Sequence, residues 1–382
     1  MTPAALINAR LMSGGGEDAG SRAVLIADGR IAALVPPTEI PAAAERIDLE
    51  GRRLAAGFID TQVNGGGGVL FNDQPTVEGI AAIGRAHRRF GTTGFLPTLI
   101  TDDFAVIRRA VAAVDAAIAA GVPGVLGIHI EGPFLNPARK GAHDAAKMRA
   151  LDAEGFEILT ALKHGRTLVT LAPETVPPET IRRLAEAGVI VAAGHTDASY
   201  GAARRGFEVG VAGVTHLFNA MSPLTSRAPG MVGAALENQT AWCGIIVDGR
   251  HVDPAVLKLA LRCRPHDRFM LVTDAMPCVG DTADTFILQG RTIHVRDGAC
   301  YDDEGVLAGS NLDMARAVAN AHRSLDLPLG KALAMASAAP AAFLGLSAER
   351  GSLAPGQAAD LVALNEDLTV WATWIGGAME RG

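Results

Sequence analysis

From Gly57 onward, short apolar segments alternate with alanine-rich segments in which apolar positions recur every three or four residues. Apolar runs of about four to eight residues are typical of buried strands, and the longer spacing is typical of amphipathic helices. The eight strand-like segments are AAGFIDTQV, GTTGFLPTLI, GVLGIHIE, RTLVTLAPE, GVIVAAGHT, GVAGVTHLF, WCGIIVDG and RFMLVTDA. Buried strands that alternate with helices predict an α/β fold, a (β/α)8 TIM barrel.

The helical pattern is clearest in VEGIAAIGRAHRRF, AVIRRAVAAVDAAIAA, PETIRRLAEAG and VDPAVLKLALRC, which fall between the predicted strands. After the eighth strand, residues 281–305 look instead like β-hairpin material appended to the barrel.

Both ends of the chain differ from this repeating pattern. The first fifty or so residues contain short extended runs, and the pair Asp28-Gly29 is typical of a tight hairpin turn. The C-terminal runs GSLAPGQAADLVALNED and VWATWIGGAMERG are similar in character. We therefore predict one small β-domain built from residues 1–56 and 349–382, with the barrel, residues 57–348, inserted between its two parts.

Composition and charge exclude several classes of protein. The 382 residues are 49% hydrophobic and 20% charged, which is globular composition. A net charge of −7 leaves no basic excess to neutralise the phosphates of a nucleic acid. No apolar run approaches the roughly 20 residues that span a bilayer, and the N-terminus lacks the features of a signal peptide. The four cysteines show no C-x-x-C spacing, which suits a reducing compartment. We therefore expect a cytoplasmic protein. The net charge and the absence of a long apolar run predict no nucleic-acid or membrane partner.

Ionisable and amide side chains recur at the C-terminal ends of the predicted strands, where barrels of this kind carry their chemistry. In chain order they are Gln62 and Asn64 after the first strand, Glu131 after the third, His195 after the fifth, His216 after the sixth, His251 after the seventh and Asp274 after the eighth. Taken singly, each could be a solvated strand end, a structural histidine or a turn cap. Five ionisable groups at corresponding places in successive repeats favour an active site.

Two histidines and one carboxylate are the ligand set of a catalytic zinc site that keeps one position open for water. Glu131, His195 and His216 form such a set, and a metal there would lower the pKa of the water toward neutrality. Asp274, on the strand adjacent after closure of the barrel, could accept the water's proton and return it to a leaving group. His129 lies two residues before Glu131 on the same face of the strand, and we expect it to support the site structurally.

Long segments around these residues resemble one known family. They are GFIDTQVNGGGGVLFND, GIHIEGPFLNPARKGAH, AAGHTDAS, THLFNAMSPLTSRAPG, GIIVDGRHVD and LVTDA. Together with the C-terminal GSLAPGQAADLVALN, they are similar to the N-acetylglucosamine-6-phosphate deacetylases of the amidohydrolase superfamily over essentially the whole chain. The resemblance implies hydrolysis of N-acetylglucosamine 6-phosphate to glucosamine 6-phosphate and acetate in amino-sugar catabolism or recycling. It also implies that the terminal domain is a β-sandwich.

The resemblance assigns roles to individual residues. It implies that Glu131, His195 and His216 hold the metal, and that Asp274 is the general base and then the general acid. His143 would stabilise the oxyanion formed at the acetamide carbonyl. In a homodimer, Arg227 would reach the sugar phosphate of the neighbouring subunit. The other substrate contacts that it implies are Ala142, Asn219, Ala220, Asp248, His251, Leu307, Ala308 and Gly309.

The first strand departs from a pattern common in the superfamily. Many members carry His-x-His there to bind a second metal, whereas this chain has Gln62-Val63-Asn64. Amides are weak, neutral ligands, so we expect a vestigial second site and one divalent ion per subunit. Zinc is the expected ion, with Fe2+, Mn2+ and Co2+ as alternatives.

Other functions stay open on the sequence alone. The chain could deacetylate N-acetylgalactosamine 6-phosphate, or cleave another amide in the manner of a dihydroorotase. A catalytically dead barrel that serves as a scaffold is a third alternative. Such a protein would typically lose a metal ligand or the acid after the eighth strand, and all four of these positions are filled here.

Overall fold

The structure is a computed structural model that describes residues 3–18, 20 and 22–382. It contains two compact units. One consists of the described residues up to Asp60 together with His87–Gly94 and Asp313–Gly382, and the other consists of Thr61–Ala86 and Phe95–Leu312. The two chain ends therefore share a unit. The domain borders after residues 56 and 348 stay a prediction, because compactness alone does not fix the limits of an architectural domain.

The largest sheet has eight strands, which neighbour one another in chain order. We name them β1 to β8: Phe58–Val63, Thr92–Ile100, Gly127–Glu131, Arg166–Leu171, Ile190–Ala193, Val211–Val214, Trp242–Ile245 and Phe269–Leu271. From β2 to β8, each strand pairs in parallel with the next. Just beyond β8, Ala275 forms a parallel bridge to Val63 in β1. This bridge closes the sheet, so the predicted TIM barrel is confirmed.

A helix lies between each strand of the barrel and the next, because parallel neighbours need a crossover connection. These helices are α1 Val77–Arg88, α2 Phe104–Ala119, α3 Ala153–Leu159, α4 Pro178–Glu186, α5 Tyr200–Glu208, α6 Gly230–Glu237 and α7 Pro254–Cys263. Later in the chain come α8 Met314–Ser324, α9 Leu329–Ala336 and α10 Ala338–Phe343. The start of α7 follows the usual rules: Asp253 accepts the N–H of Ala255, and Pro254 occupies the first turn. Among the described residues, no helix combines the length and the apolar character needed to cross a membrane.

A four-stranded antiparallel sheet follows β8 and is called here the insert sheet. Its strands are Thr285–Leu288, Arg291–Arg296, Ala299–Asp302 and Leu307–Ser310. It buries Leu288, Ile293 and Cys300 against Met276 and Ile100. The predicted hairpin material is thus confirmed. It extends beyond residue 305 because Leu307–Ser310 pairs with the third strand of the sheet.

Two further sheets lie in the unit that contains both chain ends. One has the order Arg30–Val35, Ala23–Ala27, Ala4–Ile7, Glu45–Asp48, and the other has the order Ala378–Arg381, Val370–Ile375, Leu361–Leu364, Arg53–Ala56, Arg10–Ser13, Gly16–Glu17. Both sheets contribute to one apolar core, with Leu6 and Ile26 from the first and Leu54 and Trp374 from the second. A shared core between two sheets is the arrangement of a β-sandwich, as predicted.

The hairpin turn in the first of these sheets is also confirmed. Asp28 and Gly29 join Ala23–Ala27 to Arg30–Val35. Both turn residues have a left-handed φ, 48° and 74°, as this kind of two-residue turn requires.

Gly127 begins β3, the strand that ends at Glu131. A Cβ atom on Gly127 would lie 1.9 Å from the carbonyl oxygen of Arg166 and 2.5 Å from its backbone nitrogen. Arg166 is the partner of Gly127 in the ladder between β3 and β4. These backbone atoms cannot move aside without disturbing the strand that positions Glu131.

We therefore expect Gly127→Ala to lower the free energy of unfolding by about 3 kcal/mol, the upper part of the usual range for overpacking. Urea denaturation measures this loss. Gly121→Ala is the matched control, because a Cβ there meets nothing within 4 Å and adds only the strain of a left-handed φ, about 1 kcal/mol. Equal losses in the two variants would contradict the backbone clash.

Candidate metal centre and pocket

A pocket of about 340 Å³ opens at the C-terminal ends of the barrel strands. Its walls come from the segments that follow the strands and from the insert sheet. The predicted site residues that line it are Asn64, Glu131, Ala142, His143, His195, His216, Asn219, Ala220, His251, Asp274, Leu307 and Gly309. Residues distant in the sequence therefore meet in one cavity, as the strand-end pattern predicted.

Glu131, His195 and His216 converge at the base of this pocket, and all three are buried. Oε1 of Glu131 lies 3.1 Å from Nε2 of His195 and 3.0 Å from Nε2 of His216. The two Nε2 atoms are 3.1 Å apart. Ligand atoms of this type within such distances could hold a metal ion.

The hydrogen bonds around this cluster also fit a cation. Nδ1 of His195 lies 2.9 Å from the carbonyl oxygen of Arg139, which can only accept, so this nitrogen donates. In a neutral ring, Nε2 of His195 then carries a lone pair that faces the Glu131 carboxylate. Electron-pair donors that face one another in a buried site repel unless a positive charge lies between them. The arrangement matches the metal site expected from the sequence.

The backbone at three of these positions is strained. His195, His216 and Asp274 have φ angles of 48°, 29° and 52°. Each follows a barrel strand by two or three residues, and the left-handed conformation costs a residue with a Cβ roughly 1 kcal/mol. Strain of this kind persists where the surrounding structure imposes it, and it concentrates at active sites.

Asp274 is held by the two amides that replace the histidines of the first strand. Nδ2 of Asn64 donates to its Oδ1 at 2.7 Å, and Nε2 of Gln62 donates to the same atom at 3.1 Å. Gln62 also donates to Oε2 of Glu131 at 3.1 Å. Burial and the charge of Glu131 raise the pKa of Asp274. In this structure, the amides orient two carboxylates.

His143 lies beside the cluster. Its ring centroid is 4.3 Å from that of His195, and its Nδ1 is 2.7 Å from the hydroxyl of Thr101. Because Nδ1 is engaged, Nε2 is the ring nitrogen available to a ligand in the pocket. Burial, followed by the nearby histidines, holds the pKa of His143 well below its usual value.

His251 forms a second polar centre in the pocket wall. Its Nδ1 lies 2.6 Å from Oδ2 of Asp248, and both side chains are almost fully buried. Oδ1 of Asp248 also accepts the backbone N–H groups of Arg250 and His251. Burial alone would raise the pKa of Asp248, but the hydrogen bond and charge of His251 outweigh it and lower this pKa. Asp248 lies behind His251 and does not line the pocket.

Three other predicted residues also lie outside the pocket lining. Gln62 acts on it through Asp274, and Ala308 is buried within the insert sheet. Arg227 is exposed in the loop that follows His216. His129 lies inside the barrel, where its Nε2 is 2.7 Å from the hydroxyl of Thr170. This agrees with a structural role for His129.

Two polar residues at the site, Arg139 and Thr101, were not predicted from the sequence. Arg139 lines the pocket and forms an ion pair with Asp197 at 2.8 Å. The segment PARKGAH carried a signal for it, since Arg139 lies four residues before His143. Thr101 contacts His143 but carried no signal, because a threonine after an apolar strand is ordinary.

A barrel with two histidines and a carboxylate at its C-terminal end, next to a buried acid, defines a class of metal-dependent hydrolases. The chain belongs to the amidohydrolase family, whose model matches residues 53–379. It is therefore a hydrolase, as expected from the sequence.

Individual relatives cover nearly the whole chain. The N-acetylgalactosamine-6-phosphate deacetylase of Shewanella sp. (strain ANA-3) is 44% identical over 94% of this chain and 91% of its own length. The N-acetylglucosamine-6-phosphate deacetylase of Haemophilus influenzae is 35% identical over 93% of each chain. The crystal structure of N-acetylglucosamine-6-phosphate deacetylase from Pasteurella multocida superposes with a TM-score of 0.96 at 35% identity and covers 100% of both chains.

Proposed function

We propose that the protein removes the acetyl group from N-acetylglucosamine 6-phosphate, releasing acetate and glucosamine 6-phosphate in amino-sugar breakdown or recycling. The observation that carries this proposal is the convergence of Glu131, His195 and His216 with Asp274 and His143 in one pocket. Relatives with deacetylase activity on phosphorylated amino sugars support it. Cytoplasmic location is part of the proposal, because phosphorylated sugars do not cross membranes freely.

Glu131, His195 and His216 would hold one divalent ion per chain, with zinc expected for two imidazoles and a carboxylate. When bound, the ion supplies Lewis acidity that brings the pKa of a water molecule in the site toward neutrality. The amide nitrogens of Gln62 and Asn64 donate to Asp274. Their oxygens are weak, neutral ligands, so we expect no second ion beside them.

Asp274 is the proton carrier of the reaction. Its Oδ1 accepts from both amides, which fixes the orientation of the carboxylate. Asp274 takes the proton of the attacking water and then gives it to the amine nitrogen as the C–N bond breaks. His143, through Nε2, donates to the acetamide oxygen as negative charge develops there.

The phosphate needs hydrogen-bond donors, at least one of them cationic, at the mouth of the pocket. His251, oriented by Asp248, is one candidate, and Arg139 is another, although Asp197 already shares its charge. Arg227 is exposed and is not engaged with a pocket residue of its own chain. We assign Arg227 to the phosphate of the neighbouring subunit in a homodimer.

A second candidate substrate is N-acetylgalactosamine 6-phosphate, because the relative from Shewanella with that activity is 44% identical. The deciding experiment is acetate release from both 6-phosphates and from the corresponding unphosphorylated sugars. The highest kcat/KM for N-acetylglucosamine 6-phosphate would support the first assignment. A preference for the galactose epimer would favour the second, and no release from any of the four would refute both.

Asp274→Asn should reduce kcat by about 100- to 10,000-fold, the usual contribution of a general acid–base group, because an amide cannot accept the proton. The variant should keep its metal content and unfolding midpoint, measured by elemental analysis and urea denaturation. Asp267→Asn, at an exposed position, is the control for the change in charge. Near-normal turnover in Asp274→Asn would refute the assigned role.

The metal count is tested on the protein purified with Zn2+. We expect about one ion per chain, as three protein ligands and one open position imply. His195→Ala should lose both metal and activity, whereas His164→Ala should lose neither, because His164 is exposed and pairs with Asp115. Two ions per chain, with activity following both, would contradict the single site.

Arg227→Ala should raise KM for the 6-phosphate sugar by about tenfold or more, as expected for hydrogen bonds to a charged group. It should change KM for the unphosphorylated sugar much less. Arg227→Lys should recover only part of the loss, since an ammonium cannot form two parallel hydrogen bonds. Arg139→Ala is the matched comparison within the pocket. If only Arg139→Ala raised KM for the 6-phosphate sugar, Arg139 and not Arg227 would be the residue that binds the phosphate.

Subunit mixing tests whether Arg227 acts across an interface. In a heterodimer of Arg227→Ala and Asp274→Asn chains, one site would combine its own Asp274 with the partner subunit's Arg227. Activity at low substrate concentration should therefore rise above that of either variant alone. Failure to recover after verified subunit exchange would mean that Arg227 acts within its own chain.

A further inference from the structure

Thr101 directly follows β2, is 1% exposed and faces His143. Its hydroxyl oxygen lies 2.7 Å from Nδ1 of His143, and its backbone N–H donates to the same nitrogen at 3.3 Å. Two groups of one residue therefore meet a single ring nitrogen.

This contact determines where the proton of the neutral ring lies. A backbone N–H can only donate, so Nδ1 must offer its lone pair, and the proton then resides on Nε2. The hydroxyl can rotate to donate to Nδ1 as well. With Nδ1 held in this way, His143 presents an N–H to the pocket, which is the group needed to stabilise a developing oxyanion.

We propose that Thr101 is a positioning residue that fixes His143 as an Nε2–H donor toward the acetamide oxygen of the substrate. This inference rests on the proposed deacetylase function. It assigns to Thr101 a part in the reaction that acts only through His143, since Thr101 does not line the pocket.

The residue after Glu131 leaves space for this contact. A Cβ on Gly132 would lie 2.2 Å from the hydroxyl oxygen of Thr101. Any side chain at position 132 would displace the hydroxyl from Nδ1 of His143. The absence of a side chain at Gly132 therefore leaves room for the hydrogen bond between Thr101 and His143.

The insert sheet anchors the same contact from the other side. Nε2 of Gln289 donates to the carbonyl oxygen of Thr101 at 2.7 Å, and the guanidinium of Arg291 donates to the carbonyl oxygen of Ala142, the residue before His143.

Asn72 also exchanges two hydrogen bonds with the backbone of Ile100, the residue before Thr101. Both partners of the contact are held by buried or half-buried polar groups, as a preorganised donor requires.

The first experiment compares Thr101→Val, which keeps the shape and removes the hydroxyl, with Thr101→Ser, which keeps the hydroxyl. We expect Thr101→Val to lower kcat about tenfold, the effect of one hydrogen bond. KM should stay within about twofold, because the contact acts on the transition state. Thr101→Ser should retain kcat within about threefold.

Thr167→Val is the matched control, since Thr167 is a buried threonine at the opposite end of a barrel strand. It should leave kcat within about twofold of the wild type. Equal losses in Thr101→Ser and Thr101→Val, or a change in KM instead of kcat, would overturn the positioning role.

The second experiment reads the tautomer without using activity. In the Zn2+-loaded protein, 15N NMR of the histidine rings, assigned with His143→Gln, should show the proton of His143 on Nε2. Thr101→Val should shift the Nδ1 resonance of His143, whereas Thr167→Val should not. A wild-type ring with its proton on Nδ1 would refute the inference. If the wild type released no acetate from either 6-phosphate, the proposed function would fail, while this measurement would still decide the tautomer.

Discussion

Closure of the barrel is the constraint on which the site depends. The backbone N–H of Asp274 donates to the carbonyl oxygen of Gln62 at 3.0 Å, and Ala275 bridges to Val63. These contacts join the last strand to the first, so that the carboxylate of Asp274 meets side chains more than 200 positions earlier in the chain. Without closure, Asp274 would lie at an open sheet edge, away from the two amides that orient it.

The amides at the end of β1 determine how the two carboxylates of the site are oriented. Two histidines there would compete for a second cation, which would then orient the carboxylates by charge. Gln62 and Asn64 orient them by hydrogen bonds instead. Amide N–H groups leave the negative charge of Asp274 largely in place, whereas a neighbouring dication would lower the pKa of that carboxylate. The proposed role of Asp274 as a proton acceptor is therefore better matched by amide neighbours than by a second cation.

The sequence was sufficient for the barrel and for its metal cluster because both follow a repeat. Strand ends recur at similar spacing, so Glu131, His195, His216 and Asp274 could be recognised by position. Arg139 and the contacts of the insert sheet lie in segments that meet only in the folded chain. Thr101 directly follows β2, at a position within the repeat, but a threonine there does not indicate chemistry. His251 and Asp248 were both predicted as substrate contacts, and the structure agrees only in part. His251 lines the pocket, whereas Asp248 lies behind the imidazole and pairs with it.

The insert sheet is fixed at the pocket by polar as well as apolar contacts. Its apolar core, with Leu288, Ile293 and Cys300, supplies most of its cohesion. Apolar packing is not directional, so it constrains the orientation of individual polar groups less than a hydrogen bond does. Gln289 and Arg291 donate to particular carbonyl oxygens, and hydrogen bonds weaken steeply when their angle changes. Hydrophobic burial therefore stabilises the sheet. The two hydrogen bonds from Gln289 and Arg291 position it relative to the loop that carries His143. For His143, the donor proposed to meet the oxyanion, directional contacts of this kind would fix the position more closely than apolar packing does.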